Sequence, residues 1–245
     1  MSHAPRKRFG QNFLRDEGVI EAITRAIAAD KAQHLIEIGP GEGAITQSLI
    51  ASGCRFDAIE LDRDLRTRLL ASFSTYDNFT LHSADALKFD FASLQQGGQA
   101  LRVIGNLPYN ISTPLLFKLL DYGPLIADMH FMLQKEMASR LSAIPGTKAW
   151  GRLSVMIQVT ARVDYLFDVG PESFTPPPKV DSSVIRITPI ANAHLPVARQ
   201  NLDQVLRMAF SARRKRLSNA LKNLAIEWQA VDVDAGLRAD DVTTK

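Results

Sequence analysis

The chain has 245 residues, 46% hydrophobic and 22% charged, enough for one full α/β core with room for a small second unit, and ordinary for a soluble globular enzyme. A net charge of +3 and a sequence pI near 9.1 permit a nucleic-acid partner without requiring one. A single cysteine, Cys54, excludes an internal disulfide, no run approaches the ~20 apolar residues of a membrane span, and no apolar stretch follows Arg6, Lys7 and Arg8 as in a signal peptide, so a cytoplasmic protein is expected.

The pattern from residue 16 to about 188 alternates helices with short apolar strands. Residues 16–29 are predicted helical, with Val19, Ile20, Ile23 and Ile27 on one side. Strand 34–38 then runs into Glu37-Ile38-Gly39-Pro40-Gly41-Glu42-Gly43 and a helix over 43–52. The glycines allow a sharp turn and close approach of a ligand. Their spacing is not the GxGxxG of dinucleotide binders. It resembles the GxGxG that class I methyltransferases place under the methionine part of S-adenosylmethionine, a plain strand-to-helix turn being the alternative.

Strand 56–60 ends in Glu60, about 20 residues after Gly39, where Rossmann-like sites carry the acid that holds ribose hydroxyls. A solvated strand-end carboxylate is the alternative. Helix 63–72 and strand 79–82 follow. Asp85 comes next, either an acceptor for an adenine amino group or a helix N-cap. Strand 101–105 leads into Asn106-Leu107-Pro108-Tyr109, then a helix over 113–120 with Pro114 in its first turn.

The Asn-Leu-Pro-Tyr stretch suits methylation of an exocyclic amine, a poor nucleophile because its lone pair is delocalised into the ring. Asn106 and the Leu107 carbonyl can accept both N–H bonds and favour a pyramidal nitrogen. Pro108 restrains the turn, and Tyr109 offers a face to an extruded base. Catalysis is then positioning plus electrostatics, with no metal. The histidines are scattered without ligand spacing, and no metal site is expected.

Strands are also predicted at 129–133, 155–160 and 184–187. Together these elements imply a mostly parallel sheet covered on both faces, with its ligand beyond the carboxyl ends of the strands. Residues 189–197 have the character of a linker. Beyond them Leu202, Val205, Leu206 and Ala209, then Leu217, Leu221 and Leu224, fall at helical spacing, so 198–245 is predicted to be a small helical domain. It stops abruptly after Asp240 and Asp241, and its C-terminus is expected to be incomplete.

Four further stretches carry a specific resemblance: residues 8–14 (RFGQNFL), 151–155 (GRLSV), 174–182 (FTPPPKVDS) and 210–217 (FSARRKRL). With the motifs above, the chain resembles the small-subunit ribosomal RNA adenine N6,N6-dimethyltransferases, the kasugamycin-resistance family, from residue 8 to about 223. The resemblance implies a class I methyltransferase domain over 1–188 and an RNA-contacting domain after the linker. It implies that Asn12, Leu14, Gly39, Gly41, Glu60, Asp85 and Asn106 bind S-adenosylmethionine, and that Tyr109 and Phe174 sandwich the target adenine. The family's substrate is two adjacent adenosines in a hairpin loop near the 3′ end of small-subunit RNA, in an assembling subunit. A monomer is expected.

Charge agrees with RNA contact: Arg213, Arg214, Lys215, Arg216 and Lys222, with Arg199 and Arg207, face only Asp203 in that stretch. The large-subunit macrolide-resistance methyltransferases share the first motifs, but Pro176, Pro177, Pro178 and the 213–217 run argue against them. The intact 106–109 motif and short N-terminus argue against a non-catalytic mitochondrial transcription factor. A DNA adenine methyltransferase often has Asp in place of Asn106, and the glycine spacing disfavours a dinucleotide oxidoreductase.

Overall fold

A computed structural model describes residues 11–191 and 197–244, apart from the side chain of Tyr109. Arg6, Lys7, Arg8, Phe9 and Gly10, residues 192–196 of the expected linker and the Tyr109 ring lie outside the described residues.

The described elements begin with strand β1 (Phe13–Leu14), helix α1 (Glu17–Ile27), β2 (His34–Ile38), α2 (Ala44–Ile50), β3 (Arg55–Glu60) and α3 (Arg63–Phe73). They continue with β4 (Phe79–Ser83), β5 (Leu101–Asn106), α4 (Tyr109–Asp121), β6 (Ile126–Gln134), α5 (Lys135–Leu141) and α6 (Arg152–Gln158). The last are β7 (Ala161–Val169), β8 (Phe174–Thr175), β9 (Ser182–Pro189), α7 (Arg199–Ser211) and α8 (Leu217–Ala220). The main sheet has seven strands in the order β4-β3-β2-β5-β6-β9-β7. The pairs from β4 through β6 are parallel, and β9 runs antiparallel to both β6 and β7. This is the expected mostly parallel, helix-covered sheet. The chain starts its winding at β2, moves outward through β3 and β4, then returns to the other side of β2 as β5.

Local chemistry accounts for the element ends. The Asp16 carboxylate accepts the Val19 N–H at 3.1 Å and caps α1, worth about 1 kcal/mol. Ile23 and Ile27 bury that helix's apolar side. The central strands are apolar on both faces, as parallel strands under two helical layers must be. Buried polar residues are the exceptions, and one group of them spans three strands. His34 and His82 each place Nε2 2.5 Å from Asp57, tying β2, β3 and β4 together. Burial raises the Asp57 pKa, but the bonds from His34 and His82 outweigh it and hold the carboxyl below its usual range.

Three expectations need correction. Residues 155–158 are helical, not a strand. Leu153, Met156 and Ile157 follow helical spacing, and the Ser154 hydroxyl accepts the Gly151 N–H at 3.1 Å, so the apolar run begins α6 and the strand comes later as β7. Helix α4 starts at Tyr109, because Pro108 occupies its N-cap, which leaves Pro114 inside the helix, beyond its first turn. The C-terminal segment is less helical than its leucine spacing implies. Among the described residues after α7, only the four-residue α8 and two three-residue 3-10 turns remain, around an apolar cluster of Ala209, Leu217, Leu221 and Ala239.

Strand β5 approaches the backbone of β2 closely at Gly105. A Cβ on Gly105 would sit 2.6 Å from the Ile38 carbonyl oxygen, a backbone atom that cannot swing aside. Gly105→Ala is therefore expected to cost about 2–4 kcal/mol in urea unfolding. An unchanged midpoint would refute the close-approach argument.

Candidate active site

The loop after β2 turns on three glycines with φ of +65°, +61° and +84° at Gly39, Gly41 and Gly43. L side chains rarely adopt such angles, so the sequence has no other residue to offer there. Gly43 is constrained twice, because a Cβ would also meet the Phe73 ring at 2.6 Å. The Gly39 N–H donates to Ile59 O at 2.9 Å, fastening the loop to the end of β3.

Two carboxylates stand behind this loop. Glu60, the last residue of β3, accepts the Asp62 N–H at 2.8 Å. Burial raises its pKa above the usual range, against the opposing pull of backbone N–H bonds. Glu37 lies within β2, 2% exposed, and accepts from the Thr46 hydroxyl. Burial raises its pKa from 4.5 to about 7, with the Thr46 bond opposing and the Glu60 charge adding.

Beyond β4, Asp85 Oδ1 accepts the Leu87 N–H at 2.9 Å, and its carbonyl accepts from Lys88 and Phe89. Asp85 thus caps a single turn, not a helix. At the end of β5, Asn106 Nδ2 donates to Asn12 O at 3.3 Å. That bond orients the amide and leaves Oδ1 as its acceptor. Leu107 N–H continues the sheet to Met132 O at 3.2 Å. Pro108 O takes the Ile111 N–H and the Ser112 hydroxyl, so the helix engages the Pro108 carbonyl and not that of Leu107.

The N-terminal segment reaches this site as β1, which pairs antiparallel with β8, Leu14 opposite Phe174. Arg15 pairs with Glu42, and Gln11 donates to Asp62 at 3.3 Å. The result is one cavity of about 380 Å³. Its wall includes Asn12, Leu14, Gly39, Gly41, Glu60, Asp85, Asn106, Leu107, Pro108 and Phe174. All the expected cofactor and catalytic positions with described side chains therefore meet there. Phe174 is only 4% exposed and packs with Leu14, so the cavity sees a small part of its ring.

The same wall holds Glu37, Glu42 and Asp62, which the reading of the sequence did not assign to the site. The signal for Glu37 was its place within an otherwise apolar strand; a carboxylate there needs a partner. A larger hollow of about 1080 Å³ lies between α4, α6 and α7 but contains none of the expected site residues. Its arginines are paired, Arg152 and Arg207 with Asp203 and Arg199 with Asp121. Among the described residues no group of three or more His, Cys, Asp or Glu could hold a metal ion.

The expected RNA-contacting residues lie apart from the cavity and divide into two kinds. Arg214, Lys215, Arg216 and Lys222 are exposed. Arg213 is committed to the protein: Nε donates to Asp240 at 3.0 Å, Nη1 to Lys148 O at 3.2 Å and Nη2 to Trp150 O at 2.7 Å. These bonds make Arg213 a tie between the C-terminal segment and the loop before α6, a structural role that its expectation as a phosphate contact did not include.

A profile of a family described as ribosomal RNA adenine dimethylase matches residues 2–241. The ribosomal RNA small subunit methyltransferase A of Pseudomonas aeruginosa is 55% identical over 243 residues, covering 98% of this chain and 91% of that protein. The protein of the same name from Saccharophagus degradans is 52% identical with the same coverage. A dimethyladenosine transferase structure from Plasmodium falciparum superposes with a TM-score of 0.74 at 30% identity, over 86% of this chain and 74% of that one. The 23S rRNA methyltransferase ErmE shares the fold, with a TM-score of 0.76 at 23% identity over 95% of both chains. The chain belongs to the ribosomal RNA adenine dimethylase family, enzymes whose methyl donor is S-adenosylmethionine.

Proposed function

We propose that this enzyme N6,N6-dimethylates two adjacent adenosines in a hairpin loop near the 3′ end of small-subunit ribosomal RNA, as a cytoplasmic monomer acting on the assembling subunit. The observation that carries the adenine chemistry is the Asn106 amide, whose nitrogen is held by Asn12 O so that its oxygen serves as acceptor. The small-subunit assignment draws on the relatives from Pseudomonas aeruginosa and Saccharophagus degradans, both named for that subunit. Among the described residues no helix is long and apolar enough to cross a membrane.

The cavity suits the donor. Its volume falls within the range of small-molecule sites, its glycine turn admits close backbone approach, and buried acids stand where cations and hydroxyls need acceptors. When bound, S-adenosylmethionine supplies an activated methyl group together with two positive charges, on sulfur and on the amino group. Glu60 accepts from the ribose hydroxyls, and Asp85, its carboxylate oriented by Leu87 N–H, accepts from the adenine amino group. Glu37, in the wall of the same cavity, would face a cation of the donor. Asn106 Oδ1 and the Leu107 carbonyl hold the two N–H bonds of the target amine. Tyr109 and the accessible part of Phe174 provide the stacking faces. Arg214, Lys215, Arg216 and Lys222 contact phosphates, while Arg213 keeps their segment in place. The chain folds into a methyltransferase domain over 1–188 and a small RNA-contacting domain after the linker.

The direct test is transfer of labelled methyl groups to small subunits from cells lacking this activity, with large subunits alongside and nucleoside analysis of each. Dimethyladenosine confined to small-subunit RNA is the expected result; label confined to large-subunit RNA overturns the assignment. Asn106→Ala is expected to lower kcat by about 10³ or more in that assay, as for removal of a positioned polar group at a reaction centre, with the fold retained by circular dichroism. Charge reversal at Arg214, Lys215 and Arg216 is expected to weaken RNA binding and flatten its salt dependence, cofactor affinity being unchanged by calorimetry. A cation beside Glu37 favours its ionised form, so binding releases a proton below the raised pKa. Affinity for S-adenosylmethionine is therefore expected to rise as pH increases from about 6 through 7, and Glu37→Gln to remove that rise.

A further inference from the structure

Lys118 lies in the third turn of α4, about 14 Å along the helix from Tyr109. Its ammonium donates to three backbone carbonyls, Ala86 O at 3.2 Å, Leu87 O at 3.0 Å and Phe89 O at 2.5 Å. An ammonium has three N–H donors, so all of them are used on one turn of chain. That turn is the one Asp85 begins and caps through Leu87 N–H. Lys118 Nζ also stands 5.4 Å from the centre of the Phe91 ring. One helical turn later, the Tyr122 hydroxyl accepts the Phe91 N–H at 3.2 Å and donates to Asp90 at 3.3 Å. Lys118 of α4 and Tyr122 at its C-cap therefore hold the segment that follows Asp85, and the Asn106-to-Tyr109 motif runs into the start of the same helix.

We propose that Lys118 is a positioning residue for the methyl donor: by gathering the carbonyls of Ala86, Leu87 and Phe89 onto one ammonium, it sets the place of Asp85 against the donor's adenine and locks that wall to the helix that begins at the reaction centre. This rests on the reading of Asp85 as the adenine contact. The choice of residue follows from geometry. Three carbonyls converging on one point suit a compact, tetrahedral ammonium; the planar fork of arginine spreads its donors and cannot meet all three. Burial holds the Lys118 pKa below its usual range, and the charges of Asp85 and Asp90, the two acids that bracket the turn, oppose that shift in part. Lys118 is not among the residues lining the cavity, so its effect on the donor passes through the turn.

The test compares Lys118→Met, Lys118→Arg and Asp85→Asn. Dissociation constants for S-adenosylmethionine and S-adenosylhomocysteine are measured by calorimetry, and kcat at saturating donor on small subunits. A clamp predicts that Lys118→Met weakens both ligands by about tenfold, alike because both carry the adenine, while kcat at saturation changes by less than about threefold. Lys118→Arg, which keeps the charge and safeguards folding, is expected to weaken both in the same way, and backbone hydrogen exchange over residues 86–89 to rise in both variants while β4 stays protected. Unchanged dissociation constants in both Lys118 variants, with Asp85→Asn still weakening binding, overturn the clamp and leave the adenine contact standing. Unchanged binding in Asp85→Asn overturns the adenine reading itself. Loss confined to kcat, at normal donor affinity, overturns the proposal by placing the effect of Lys118 at the reaction centre.

Discussion

Strand β2 is paired in parallel on both sides, with β3 and with β5, and the rest of the site depends on that pairing. Chain order reverses across it, so the loops after these strands open away from one another and leave a crevice at their carboxyl ends. Gly39, Glu60 and Asn106 are far apart in the chain but each stands at the end of one of the three strands. The missing side chain at Gly105 lets β5 lie against the Ile38 carbonyl, which brings Asn106 beside the glycine turn. A larger residue there would separate the amide from the donor's cavity by moving backbone, which no rotamer change could undo.

A second layer of organisation comes from segments that parallel pairing does not supply. Strand β1 joins β8 outside the main sheet and so brings residues from the start of the described chain together with Phe174. Its neighbours Asn12 and Arg15 reach Asn106 and Glu42. The cavity, the Asn106 amide and the wall formed by Phe174 are consequently joined through β1. Helix α4 has a comparable place on the opposite side, with the Asn106-to-Tyr109 stretch leading into its N-terminus and Lys118 on the turn after β4.

Charge alone does not describe the C-terminal segment. Arg152, Arg199, Arg207 and Arg213 all have carboxylate partners on the protein and hold α4, α6, α7 and the final turns together. Exposed pairs of this kind stabilise little individually, but Arg213 also serves two backbone carbonyls, which makes it a geometric tie. Arg214, Lys215, Arg216 and Lys222 are exposed, and on the proposed reading they serve phosphates, whose recognition tolerates imprecise placement because it works through charge and counterion release.

The sequence by itself determined the alternating architecture, the glycine turn and most of the residues that meet in one cavity, because each is encoded locally. Positive φ demands glycine, a strand end exposes its next side chain, and Asn-Leu-Pro-Tyr is contiguous. It also determined membership of the methylating family, since residues 8–14, 174–182 and 210–217 are contiguous stretches as well. Periodicity failed where two patterns overlap: Val155, Ile157 and Val159 alternate as a strand would, yet Leu153, Met156 and Ile157 pack as a helix, and only the sheet's need for β7 beside β9 decides between them. Helix propensity was likewise overruled after α7, where a small apolar cluster is closed by turns. Tertiary structure alone decided which charges are available. Whether Arg213 is solvated or bound to Asp240, whether Glu37 is a buried acid or a solvated one, and whether Lys118 is a free surface cation or bonded to three carbonyls are questions of partners distant in sequence. Electrostatic roles follow from those distances and from burial, which no local pattern of residues records.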